Sequence, residues 1–190
     1  MTKILGLCGS PVEGSSTSII IKTILESATE AGAMTDYISL NELNIMPCQA
    51  CGKSPEDNYC YFGDGMDIIY NKFEWCDAII VGSPIYFDSV SAQTKLFIDR
   101  CNCLRHFLPE KNILLEPRIK KKRKGAIVLV GGPRQKFEYA RRVIGGFFIW
   151  ANIESAGLIK YSHDGPQKGT VADSRETLDE AIALGRFLAE

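Results

Sequence analysis

Two kinds of apolar patterning alternate along the chain. Short, largely apolar runs occupy residues 3–8, 34–40, 78–82, 126–131 and 155–161; between them, over 18–31, 64–74, 91–104, 137–151 and 173–189, apolar residues recur every three or four positions. A period near 3.6 predicts amphipathic helices, and a short run bounded by turn residues predicts a buried strand. The first helix gathers Ile20, Ile21, Ile24, Leu25 and Ala28 on one stripe and ends at Gly32, a residue suited to the position just beyond a helix C-terminus. The last opens with Asp173 three residues before Glu176, a variant of the capping box, and turns Leu178, Ile182 and Phe187 inward. Runs such as Ala78-Ile79-Ile80-Val81 are apolar at consecutive positions, as a parallel strand covered on both faces requires. Five such βα units predict one α/β domain, a three-layer doubly wound five-stranded parallel sheet with strand order 2-1-3-4-5.

The length of 190 residues and the 45% apolar composition suit a single domain with a full core, 1–190. A formal net charge of −1 gives no electrostatic reason to expect nucleic acid or an anionic membrane as partner. The start, Met-Thr-Lys-Ile-Leu, lacks the layout of a signal peptide, and no apolar run nears the ~20 residues that cross a bilayer, so a cytoplasmic location is expected. Seven cysteines beside so large a core point to free thiols or metal ligands rather than a disulfide scaffold. Two stretches exceed ordinary connection lengths: 41–63, an insertion with three cysteines, and 105–124, a basic arm ending in Arg118-Ile-Lys-Lys-Lys-Arg-Lys124. The basic run is expected to be solvated.

In open parallel sheets ligands bind beyond the carboxyl ends of the strands, where the winding reverses. The loops after strands one, three and four meet there. The first, Gly9 to Ser18, places Ser10, Ser15, Ser16 and Thr17 around a helix start, whose leading N–H groups lack intrahelical partners. With neither a Gly-Lys-Ser/Thr nor a G-x-G-x-x-G pattern, this cradle suits a terminal phosphomonoester. The loop after strand three carries Pro84, Ile85, Tyr86 and Phe87, an apolar and aromatic surface for a flat conjugated ring. The third loop offers Gly131 and Gly132, a side-chain-free backbone wall or simply a tight turn.

Other chemistries of this topology lack their residues. A receiver domain needs carboxylates just after the first strand, and residues 8–12 contain none. A low-molecular-weight phosphatase would use Cys8 but needs an Arg in the same loop, and 9–18 contain neither Arg nor Lys. His106 and His163 lie in irregular segments and are expected to be surface residues rather than catalytic bases. No catalytic side chain is assigned.

At this point the chain resembles a family. Gly9-Ser10-Pro11 with Ser16-Thr17, then Gly82-Ser83-Pro84-Ile85-Tyr86, then Lys95-Leu96-Phe97-Ile98-Asp99-Arg100 are similar to the flavodoxin-like group of NADPH-dependent FMN reductases and iron–sulfur flavoproteins. The likeness spans nearly the whole chain, with GSPIYF followed by KLFIDR its most specific part. The resemblance implies FMN, its phosphate held by Ser10 to Thr17 and its isoalloxazine lined by Pro84 to Phe87, with Gly131-Gly132 as a third wall. It also implies NADPH or NADH as co-substrate, a small-molecule or protein electron acceptor, and a homodimer or homotetramer whose subunits help to enclose the flavin. Segments 41–63 and 105–124, or a partner subunit, would roof the nicotinamide, and the basic run could attract its 2′-phosphate.

Two departures stand out. Relatives often carry Arg where this chain has Val12, so the charge partner of the phosphate is either missing or supplied elsewhere. Iron–sulfur relatives have C-x-x-C-x-x-C with a fourth cysteine near Cys60, and here the third position is Ser54. A protein-held [4Fe–4S] cluster normally takes four thiolates. Cys48, Cys51 and Cys60 are therefore kept as candidate metal ligands with no iron–sulfur cluster expected, and Cys101 and Cys103 are candidates to replace the missing thiolate or to form a zinc site with the trio. Cys8 and Cys76 are expected to be small core residues. The rival reading is an FMN-carrying electron-transfer protein without its own nicotinamide site; a third is a redox or metal sensor built on the cysteines.

Overall fold

The computed structural model describes residues 1–52, 58–108, 113–163, 165 and 167–190. Ser54 and the side chain of His106 lie outside what is described. The elements are Lys3–Cys8 (β1), Ser16–Glu30 (α1), Met34–Ser39 (β2), Met66–Trp75 (α2), Ala78–Tyr86 (β3), Ser89–Val90 (β4), Ala92–Arg100 (α3), Arg105–Leu108 (β5), Ile113–Pro117 (β6), Arg123–Gly131 (β7), Phe137–Trp150 (α4), Ile153–Ser162 (β8) and Arg175–Ala189 (α5). Five strands pair in parallel in the order β2-β1-β3-β7-β8, the expected arrangement. The small β4 turns back on the end of β3, and β5–β6 form a separate antiparallel hairpin. Among the described residues no helix is long and apolar enough to cross a membrane.

Both faces of the sheet are covered. One core cluster joins Ile4, Ile80 and Val128 of the sheet to Ile20, Ile21, Ile24, Ala181 and Leu188 of α1 and α5. The other joins Leu5, Ile79, Val81 and Ile127 to Phe73, Phe97, Ile144 and Phe147 of α2, α3 and α4. The stripe expected for α5 is shifted. Thr177, Ala181, Gly185 and Leu188 are its buried residues, whereas Phe187 is exposed beneath the Lys124 ammonium. The cause is close packing of α5 on α1: Ser27 Oγ of α1 donates to Ile182 O of α5 at 2.8 Å, and a Cβ at Gly185 would stand 2.3 Å from Ile24 O.

The segment 105–124 departs most from expectation, because it carries an antiparallel hairpin and only part of its basic run is solvated: Lys120, Lys121 and Lys122 are exposed, whereas Arg123 is buried. Arg123 opens β7 and is 2% exposed; it donates to Phe73 O at 3.2 Å and to Ala151 O, capping the carboxyl ends of α2 and α4. Arg105 caps the same end of α4, through Trp150 O at 2.8 Å and Ile149 O at 2.9 Å. Lys120 pairs with Glu116, Lys121 with Asp77, and Arg118 donates to Asn58 O. Although the Lys120, Lys121 and Lys122 side chains stay exposed, part of the basic charge is thus tied into the fold. It also lies at the wrong end: β7 runs eight residue steps, about 26 Å at ~3.3 Å per step, from Arg123 to the rim at Gly131. The end of the basic run at Arg123 therefore lies far from the rim and from any 2′-phosphate bound there.

The Cys-bearing insertion is anchored by an internal ion pair. Arg100, at the end of α3, binds Asp64 with both terminal nitrogens, at 2.5 and 3.2 Å, and both side chains are buried. The guanidinium also donates to Met46 O at 2.8 Å and to Cys60 Sγ at 3.4 Å, so it closes the loop from both ends. Burial pushes the Asp64 carboxyl up, but the Arg100 guanidinium and the N–H groups of Met46 and Met66 outweigh that and hold it below its ordinary value.

Candidate cofactor site at the strand ends

The first helix starts earlier than its apolar stripe suggests. Ser15 is the N-cap, in extended conformation, and its Oγ accepts from Ser18 N at 3.2 Å. Ser16 and Thr17 are therefore the first helical residues, and their N–H groups stand among the orphan donors of the helix start. The first turn carries no acidic residue. Ser16 Oγ accepts from Val171 N at 3.3 Å and Ser10 Oγ from Val12 N at 3.2 Å. With the oxygens of Ser15 and Ser16 engaged as acceptors, their hydroxyl hydrogens are left to donate.

A buried polar network fixes this loop against the next. Ser91, the N-cap of α3, donates from its Oγ to Gly9 O at 2.6 Å and accepts from Thr94 N at 3.2 Å, while Ser91 N donates to Ser83 Oγ at 2.9 Å. A Cβ at Gly9 would stand 1.8 Å from Thr94 Oγ1, so only glycine permits the contact. Past Ser83, β3 runs on to Tyr86, further than the apolar run implies, and pairs with Val130 at Pro84 and with β4 at Ile85 and Tyr86. Phe87 and Asp88 form the hairpin turn, with φ of 50° and 61°, the signs of a type I′ turn. Asp88 Oδ1 accepts from Lys136 N at 2.7 Å and ties the hairpin to the loop after β7. In that loop Gly132 N donates to Gln135 Oε1 at 2.6 Å, and Gln135 N returns a bond to Gly132 O at 3.2 Å.

These loops enclose one open cavity of about 350 Å³, within the range of small-molecule sites. Nine of the ten expected positions line it: Ser10, Ser15, Ser16, Thr17, Pro84, Ile85, Tyr86, Gly131 and Gly132. Phe87 does not. It is fully exposed at the hairpin tip, because the two-residue turn carries it beyond the last strand pair. Ile85 is both buried in the core and part of the cavity lining.

Sequence reasoning missed a fourth loop. His163, Gln167, Lys168 and Gly169, after β8, line the same cavity, as do Val130 and Gln135. The reason is topological: β8 is the far edge strand, yet α5 packs beside α1, so the connection must cross the strand ends. The only available signal was the general placement of loops at the carboxyl rim. His163 is thus a cavity residue rather than a stray surface one. Its Nδ1 lies 2.8 Å from Gly165 O, a carbonyl that can only accept, so Nδ1 is the donor.

The cysteines do not assemble. Cys48 and Cys60 are half-buried, Cys51 is exposed, and among the described residues no three Cys, His, Asp or Glu side chains come together as a metal site. Cys101 and Cys103 donate to Phe97 O at 3.3 Å and Arg100 O at 3.1 Å, and burial pushes both thiols up; Cys60 is among the groups whose charge acts on Cys103. Cys8 and Cys76 are core residues; burial pushes the Cys76 thiol up to about 11.

A family model of NADPH-dependent FMN reductases matches residues 2–150. The chain belongs to that family. An iron–sulfur flavoprotein of Methanosarcina thermophila is 39% identical over 132 residues, 70% of this chain and 64% of that relative. The match therefore leaves over a third of that relative uncovered. A second iron–sulfur flavoprotein, from Methanocaldococcus jannaschii, is 32% identical over 199 residues, covering 97% of this chain and 94% of the relative. Among solved structures, an archaeal flavodoxin superposes with a TM-score of 0.61 at 14% identity, over 99% of this chain and 96% of its own. The fold is accordingly flavodoxin-like.

Proposed function

We propose that this chain is an FMN-dependent oxidoreductase that takes hydride from NADH or NADPH and passes the electrons to a second, small-molecule or protein acceptor. The carrying observation is one cavity that joins a hydroxyl-lined helix start to an apolar and aromatic wall, in a member of an FMN reductase family. The donor set fits the cofactor at both ends. Hydroxyls of Ser10, Ser15, Ser16 and Thr17, with the N–H groups of α1, would hold the phosphate. Pro84, Ile85 and Tyr86 would lie against the ring, and the backbone of Gly131 and Gly132 would meet its polar rim. When bound, FMN supplies the redox chemistry; the protein's part is binding, orientation and exclusion of competing reactions. No side chain is required as general base. The Ser83–Ser91–Gly9 network keeps the phosphate loop and the ring loop in register, so both ends of the ligand meet preset walls. A homodimer or homotetramer would add a wall from a partner subunit.

The test is spectroscopic. The chain loaded with FMN under anaerobic conditions should lose its flavin absorbance on addition of NADPH or NADH. Persistent absorbance with both would favour the rival, an electron carrier reduced by another protein, a reading that the names of the iron–sulfur flavoprotein relatives support.

A further inference from the structure

The phosphate cradle has no cation of its own. Residues 9–18 contain neither Arg nor Lys, and the position just after Gly-Ser-Pro is Val12. A dianionic phosphate held by neutral donors alone would lack the charge-assisted bonds that make such sites tight. The crossing segment after β8 brings a cation to the same cavity. Lys168 lines it together with Ser10, Ser15, Ser16 and Thr17, and among the described lining residues there is no carboxylate.

The end of the cavity that Lys168 serves follows from its neighbours. Gly169 has φ of 73°, and a Cβ there would stand 2.9 Å from Gly14 O, one residue before the Ser15 cap. Two residues on, Val171 N donates to Ser16 Oγ. The backbone on the C-terminal side of Lys168 is therefore seated on the helix start itself, and this segment lies outside the 2–150 matched by the family model.

We infer that Lys168 is the charge partner of the phosphate and the residue by which this site prefers a phosphorylated flavin to an uncharged one, with Gly169 positioning it. The inference rests on the cavity being the flavin site. Its test is equilibrium binding of FMN and of riboflavin, followed by flavin fluorescence at low and high salt, for the unaltered chain, Lys168→Gln, Lys168→Arg and Gly169→Ala. The unaltered chain should bind FMN more tightly than riboflavin, with a preference that shrinks as salt rises. Lys168→Gln should lower FMN affinity by roughly tenfold, as for one lost charged hydrogen bond, and leave riboflavin affinity unchanged. Lys168→Arg should restore most of the preference; Gly169→Ala, strained at its φ and crowded by Gly14 O, should reduce it with Lys168 still present. Because Lys168 is an exposed side chain, its variants keep the fold. A Lys168→Gln chain with the full preference, or an unaltered chain binding both flavins equally, overturns the inference and leaves the flavin reading intact. An unaltered chain that binds neither flavin overturns both.

Discussion

Ser16 and Thr17 show how much one residue's place in a helix decides. As the first two helical residues they contribute both backbone N–H groups and hydroxyls to one point, and both are buried there. Replacing both hydroxyls, Ser16→Ala with Thr17→Ala, should weaken FMN binding by about 1–3 kcal/mol while sparing riboflavin, measured by fluorescence titration. The small hydroxyls at this helix start were legible from the chain alone, and Ser10, Ser15, Ser16 and Thr17 all line the one cavity. The fully exposed Phe87 was not legible, because a Pro-Ile-Tyr-Phe run does not reveal where a hairpin turns. Phe87 sits at φ 50°, costly for a bulky side chain and natural for Asn. Phe87→Asn should therefore stabilise the hairpin by about 1 kcal/mol, read from the thermal midpoint. Asp64 sets an acid limb. Its carboxyl is held below the ordinary value, so the stability it contributes is present above the unfolded value near ~3.9 and is lost as pH falls through the lower folded value. Asp64→Asn should lower stability at neutral pH by about 3–5 kcal/mol, as for a broken buried pair, and flatten the acid side of the stability profile.

At the scale of elements, the five parallel strands and their helices follow from apolar periodicity, because a strand covered on both faces leaves no alternation to misread. The β5–β6 hairpin does not follow from it. Its anchoring depends on arginines that a linear reading assigns to solvent, and burial of Arg123 is decided by the free carbonyls at the ends of α2 and α4, groups that exist only once those helices stand side by side. Arg123→Ala should cost about 2–4 kcal/mol in urea unfolding, through unsatisfied helix ends rather than lost charge. Flavin binding by the folded variant should be unchanged, since the site lies at the opposite end of β7.

For the whole molecule, strand order is what converts scattered loops into a site. The order β2-β1-β3-β7-β8 brings the ends of β1, β3 and β7 together, and the need to return from β8 to the α1 side draws the Lys168 segment across them. Three of the four loops could be named from the chain because they follow central strands; the fourth depended on which face α5 covers. The cysteine spacing, by contrast, said nothing of the bond that Cys60 accepts from the buried Arg100 guanidinium. The most direct test of the cavity as a flavin site is equilibrium uptake of FMN by the purified, flavin-stripped chain, followed by absorbance after removal of unbound dye. One FMN per chain, with less retained by the Ser16→Ala, Thr17→Ala double variant, is the expected result. A chain that stays colourless in excess FMN would contradict it.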